Sequence, residues 1–440
     1  MNRSAVFPFS FRLPVSAIAG PLCGLAMAVS LCAQGEQLTF TGKTDRHPLS
    51  YAVGETMTFT VRLVDKSAGN APVAGRKLVW KTEGDDGAKQ SGEATSDEPL
   101  VVTATASKPG FVRLTVNVLG ADGKVLKGKC EKFDGSAGAD VARIVAYPEP
   151  VDFDAFWAKR LAAVAAQKGG STSSVTNEAK GFSVRAFSLP MGEGKSPATG
   201  FVAVPVGAKP GALRIDARFH SYGYGPVFFA PRELKTDAIC LSVTRQGEEI
   251  GREKPYYDEL KRAMKNFCFR NTASPETTDQ LGMLLRDWRA LQWAKTLPEW
   301  NGKDVAVAGG SMGGYQALAM AALDPGVTSA WAYIPWHACL AAKEKLGRMG
   351  GWAPDWTEAL GYFDAANLAS RIRCPVVMTI GLGDYVCPPS GEMVLFRNLK
   401  GKKKMTVRQN MGHGSDYGVE TAVYVIGGNE DFSSWSLPIF

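Results

Sequence analysis

One stretch restricts the folding options of this chain more than any other: Asp304-Val-Ala-Val-Ala-Gly-Gly-Ser311-Met-Gly-Gly, followed by a run of Ala, Leu and Met. The apolar half predicts a buried strand, and the Ala, Leu and Met run favours helix. Glycines at 309 and 313 leave room for a strand-to-helix reversal too sharp for side chains. Ser311 then projects its hydroxyl above the sheet, as a nucleophile elbow requires. A bare GxSxG is common and can be a tight turn with a capping serine, so the strand before it and the helix after it carry the reading.

An elbow needs a sheet, and the surrounding sequence supplies one. Strand candidates are Phe201 to Val206, Leu213 to Phe219, Ala238 to Val243, Val305 to Ala308, Ala330 to Ile334, Val376 to Ile380 and Met405 to Val407. Leu281, Leu284, Leu285 and Trp288 give a helical stripe, and such alternation predicts a mostly parallel sheet with helices on both faces. The expected fold class is α/β, of the α/β-hydrolase type, with its active site at the carboxyl ends of the strands.

That fold dictates a nucleophile, then an acid, then a histidine along the chain. There are four histidines. His47 and His220 precede the elbow, and His337 follows it too closely to leave an acid-bearing strand between. His413, in the loop after the strand candidate Met405 to Val407, remains. Asp384 follows the apolar strand at Val376 to Ile380 and is the expected acid. Asp364 precedes that strand and fits a helix cap better, while Asp355 and Asp324 fit no strand end. A serine hydroxyl becomes a competent nucleophile when an imidazole takes its proton and a carboxylate orients that imidazole. The Met312 N–H should supply one oxyanion donor, and the Gly-rich loop Phe219-His-Ser-Tyr-Gly-Tyr-Gly225 the other. His220 reads as a residue that fixes this loop.

Upstream of Pro150 the pattern changes. Between about 34 and 145 apolar residues alternate at period two, as at Met57, Phe59, Val61 and Leu63 and again at Val112, Leu114, Val116 and Val118. Turn signals at Gly84-Asp-Asp-Gly87, Lys108-Pro-Gly110 and Asp122-Gly123 separate the runs, predicting an immunoglobulin-like β-sandwich. Asp152 is placed to cap a helix burying Phe153, Phe156, Trp157, Leu161 and Val164. The stretch from Lys168 to Ser174 reads as a flexible break, and the catalytic domain is expected over 146–440.

Residues 1–33 have the form of a secretory signal peptide: Arg3 and Arg12 precede an apolar, small-residue run, with no acid before Glu36. Cleavage after Ala28 or Ala33 fits, and the chain is expected to be secreted or periplasmic, with no membrane span after cleavage. Losing two arginines lowers the formal charge from +7 to +5. That mild excess, with no basic run interleaved with aromatics, argues against nucleic acid as a partner. If the cut follows Ala33, Cys130, Cys240, Cys268, Cys339, Cys374 and Cys387 remain. Their spacing matches no zinc pattern, an even set permits pairing in an oxidising compartment, and structural roles are expected. No metal or organic cofactor is implied.

The residues also resemble a known family. The segments DFDAFWAKRL, HSYGYG, LPEWNGKDVAVAGGSMGGYQALAMAALDP, YFDAANLASRIRCPV and GDYVCPP are similar to those of the acetyl xylan esterase and cephalosporin C deacetylase group of α/β-hydrolases. The resemblance implies deacetylation of sugars, a triad of Ser311, Asp384 and His413, oxyanion donors from Tyr222 and Met312, and a homo-oligomer in some members. The chain departs from the family at Thr244-Arg-Gln-Gly247, at Met312 and at Gly414. Pro335 and Trp336 are candidates for narrowing the acyl pocket, and Trp352 and Trp356 for stacking on sugars or for packing. Competing readings are a prolyl-oligopeptidase-like serine peptidase and a non-catalytic polysaccharide-binding protein.

Overall fold

The computed structural model describes residues 36–126, 128, 130–175, 179–416 and 423–427. The signal-peptide expectation at 1–33 lies outside them. No helix of the described residues is long and apolar enough to cross a membrane.

Downstream of residue 170, Met411–Gly412 and Ser415–Asp416 pair apart, and ten of the described strands form one mixed sheet. Its centre is parallel: Ala238–Val243, Leu213–Phe219, Trp300–Gly310, Ser329–Tyr333, Val376–Gly381 and Lys403–Arg408 lie side by side in that order. Antiparallel strands extend both edges, Val423–Ile426 at one and Ala198–Pro205, Phe182–Leu189 and Ser171–Ser174 at the other. The sheet is therefore less uniformly parallel than the sequence pattern predicts. The stretch expected to be a flexible break holds an edge strand instead: Ser171–Ser174 pairs with Arg185 to Ser188, and its Ser and Thr side chains, all exposed, leave no apolar signal to read.

Alternate strand residues, Ile215, Ala217, Val305, Val307, Ala330, Val376, Met378 and Val407 among them, share one core with the helices Phe153–Ala165, Asp279–Ala294, Met312–Leu323, Ala365–Ala369 and Pro389–Asn398. Phe153, Phe156, Trp157 and Val164 are the buried face of the first of these. Asp152 stands at its N-terminus without capping it; its carboxylate accepts the hydroxyl of Tyr362 instead.

The N-terminal strands form two four-stranded antiparallel sheets. Phe40, Phe59, Val61 and Leu63 of one and Leu114, Val116, Phe133 and Ala137 of the other fill a common core. Asp85, in the first expected turn, is buried, and its Oδ2 accepts the Phe111 N–H at 2.9 Å. These sheets and the ten-stranded sheet belong to one compact unit, Glu36–Phe440. The six cysteines among the described residues are free thiols, five of them buried.

Candidate active site

Three strands of the parallel centre each lead to one residue of the site. Trp300–Gly310 runs directly into the helix Met312–Leu323, with Ser311 between them at φ 54° and ψ −121°. The flanking glycines are there for space. A Cβ on Gly309 would lie 2.3 Å from the Gly313 carbonyl oxygen, and one on Gly313 would lie 2.2 Å from that of Phe219. The Ser311 N–H donates to Tyr333 O at 2.8 Å, which fixes the reversal against the next strand.

Asp384 follows the strand Val376–Gly381 and is 1% exposed. Its Oδ1 accepts the N–H groups of Val386 and Cys387, both at 2.9 Å, leaving Oδ2 to face His413 Nδ1 at 2.8 Å. His413 follows Lys403–Arg408 and the short strand Met411–Gly412, and its Nε2 lies 2.9 Å from Ser311 Oγ. The structure thus brings Ser311, His413 and Asp384 into one hydrogen-bonded row. Asp364 stands apart: it caps Ala365–Ala369, accepting the Ala366 N–H at 2.9 Å, and burial pushes its carboxyl up to about 6.

Met312 is fully buried and opens the elbow helix, whose first N–H groups have no partner within the helix. Tyr222 lies in the loop after Leu213–Phe219. Ser221 Oγ ties that loop to the elbow by donating to Gly310 O at 3.0 Å. The Tyr222 ring stacks on Phe267 at 5.4 Å and meets Trp352 edge-on at 5.0 Å, while its hydroxyl and that of Tyr224 share the Asn266 N–H. His220 holds Ser242 Oγ at 2.8 Å, and burial pushes its ring down to about 3, so it is a neutral structural group.

Pro335 and Trp336 line a cavity of about 70 Å³ together with His337, Trp352, Cys387 and Glu392. Trp336 is 1% exposed and donates its indole N–H to Trp352 O at 2.6 Å, and the two indole rings lie 5.4 Å apart.

Several neighbours were not legible in the sequence. Cys387 Sγ lies 3.8 Å from His413 Nδ1, and burial with the Asp384 charge raises its thiol well above the usual range, so it stays protonated. Glu392 is buried on Pro389–Asn398, and the same two causes raise its carboxyl well above the usual carboxylate range. Arg245, 2% exposed, donates from Nε to Gly223 O at 2.9 Å and from Nη2 to Gly225 O at 3.2 Å, so one side chain grips the loop beyond Tyr222. The departure from family pattern at 244–247 marked the place but not the role.

The family model described as Acetyl xylan esterase (AXE1) matches residues 144–340 and 354–424. The chain belongs to the acetyl xylan esterase family. The protein named acetyl esterase Axe7A of Xylanibacter ruminicola is 35% identical over 129 residues, 27% of this chain and 29% of that protein. The aligned part is thus under a third of that relative's length. Among solved structures, the acetyl xylan esterase from Paenibacillus sp. R4 matches with a TM-score of 0.52 and 24% identity over 61% of this chain and 91% of that one. Acetyl xylan esterase 1 from Thermoanaerobacterium sp. JW/SL YS485 matches with a TM-score of 0.50 and 21% identity over 63% and 93%. Family and fold together place the mixed sheet among the α/β-hydrolases.

Proposed function

We propose that this protein is a secreted serine carboxylic-ester hydrolase that removes O-acetyl groups from carbohydrates such as acetylated xylan. The observation that carries the reading is the row Ser311 Oγ, His413 Nε2, His413 Nδ1 and Asp384 Oδ2, with links of 2.9 and 2.8 Å. Ser311 attacks the acetyl carbonyl as His413 takes its proton, and Asp384 holds the imidazole in the tautomer that can accept it. The N–H groups of Met312 and Tyr222 take the developing oxyanion. His413 then protonates the departing sugar oxygen, and water, activated by the same base, releases acetate from Ser311. These groups supply nucleophile, base and oxyanion stabilisation with no metal or organic cofactor. On this reading residues 1–33 are the export signal, 34–145 an immunoglobulin-like module and 146–440 the catalytic domain. Membership of the esterase family disfavours the peptidase and non-catalytic readings.

Acetate release from acetylated xylan and from 4-nitrophenyl acetate tests the proposal, comparing wild type with a Ser311→Ala variant of matched circular dichroism. The variant should lose on the order of 10³-fold or more in kcat on both substrates. Wild-type protein inactive on both, or a variant as active as wild type, overturns the reading.

A further inference from the structure

The last strand of the N-terminal sheets, Phe133–Ala139, lies against both loops that carry the acid and the base. On the acid side, Ser136 Oγ donates to Leu382 O at 2.6 Å and lies 2.9 Å from the Tyr385 hydroxyl, so its contacts bracket Asp384 along the chain. On the histidine side, the Asp134 N–H donates to Asn410 Oδ1 at 3.0 Å and Gln409 Nε2 donates to Ser136 O at 3.0 Å. Asn410 Nδ2 reaches Phe40 O at 3.1 Å in the other sheet. Asp134, Ser136, Gln409 and Asn410 are all at most 3% exposed.

The backbones themselves interlock. A Cβ on Gly383 would lie 2.0 Å from Asp134 O, and one on Gly135 would lie 2.7 Å from Gln409 O. Arg113, on the neighbouring strand, forks onto Asp134 at 2.7 and 2.6 Å while its guanidinium covers the Tyr385 ring at 4.0 Å. A third contact reaches the segment bearing Trp352: Asp85 Oδ1 accepts the Met349 N–H at 3.0 Å, and Lys108 donates to Gly347 O at 3.2 Å.

We propose that the N-terminal sheets are a working part of the active site, holding the Asp384 and His413 loops in hydrogen-bonding register, with Ser136 as a positioning residue. A detachable binding module or spacer meets its neighbour through exposed, polar contacts and a linker. Here the contacts of Asp134, Ser136, Gln409 and Asn410 are buried, they are made to backbone carbonyls and loop amides, and they fall next to Asp384 and His413 along the chain. Loops after strand ends are otherwise the weakest-held parts of such a sheet. A shift of about 1 Å in a reacting group costs on the order of 10²-fold in rate.

The proposal rests on the roles given above to Ser311, Asp384 and His413. Its test uses the full chain and 4-nitrophenyl acetate, with Ser136→Ala and, in case that variant does not fold, Gln409→Ala. The folded variant should lose about tenfold in kcat with KM within about twofold of wild type. Wild-type kcat overturns the proposal, as does a loss carried by KM rather than kcat, or a loss of activity that only follows a lowered melting temperature. Activity surviving in Ser311→Ala would instead overturn the reading of the site itself, so the two failures are separable.

Discussion

Ser311 holds its backbone at φ 54° and ψ −121°, a conformation that residues with a Cβ adopt at a cost of about 1–3 kcal/mol. The fold supplies that energy through the neighbouring bonds, the Ser311 N–H to Tyr333 O at 2.8 Å and the Trp336 N–H to Ser311 O at 3.0 Å. Removing the Cβ removes the strain, offset in part by the greater freedom glycine has when unfolded. Ser311→Gly should therefore raise stability by roughly 1 kcal/mol while abolishing esterase activity, and Ser311→Ala should abolish activity with no such gain. Urea midpoints of the two variants measured side by side check this, and equal midpoints would show that the elbow carries no usable strain.

Among the elements, the loop from His220 to Gly225 is tied down by one side chain distant in sequence. Arg245 bonds the carbonyls of Gly223 and Gly225, and Arg286 Nη2 in turn bonds Arg245 O at 2.6 Å. A lysine cannot reproduce the planar fork. If Tyr222 in this loop donates to the oxyanion as proposed, Arg245→Lys should lower kcat about tenfold with a smaller change in KM, since a displaced donor of that kind is felt mainly in the transition state. Steady-state kinetics on 4-nitrophenyl acetate decide it. The meeting of Ser311, Asp384 and His413 was legible in the sequence because strand, turn and chain order each exclude alternatives. Arg245 was not, because its partners are backbone oxygens on another loop and carry no side-chain signature. The same reason hid Ser136, whose acceptor is the Leu382 carbonyl. The edge strand Ser171–Ser174 was missed for a different cause: its pairing partner, not its composition, makes it a strand. The central strands were readable because both their faces are covered, which leaves short, continuous apolar runs.

For the molecule as a whole, buried titrating groups set how stability responds to acid, and they oppose one another. His337 is 2% exposed, and burial pushes its ring down to about 3. Neither ring nitrogen has a hydrogen-bond partner among the described residues. The folded chain therefore keeps this ring neutral while the unfolded chain takes up a proton below about 6.5. Its contribution is fully present above that value and is lost as pH falls from about 6.5 to about 3, by about 1.4 kcal/mol per pH unit. His220 acts in the same sense. Asp364, pushed up to about 6, and Asp287, pushed up to about 8, act in the other: the folded state holds protons that the unfolded carboxylates release, so acid down to about 4 favours the fold. The wild-type profile is a sum of opposed slopes, and a difference between two proteins isolates one of them. His337→Leu removes a group that titrates only in the unfolded chain and fills the site with apolar volume beside Trp336 and Tyr315. Relative to wild type, the variant should gain about 2 kcal/mol between pH 7 and pH 5. Urea unfolding of both proteins at the two pH values measures that gain. A stability difference that does not change with pH would mean that His337 titrates alike in the folded and unfolded chains.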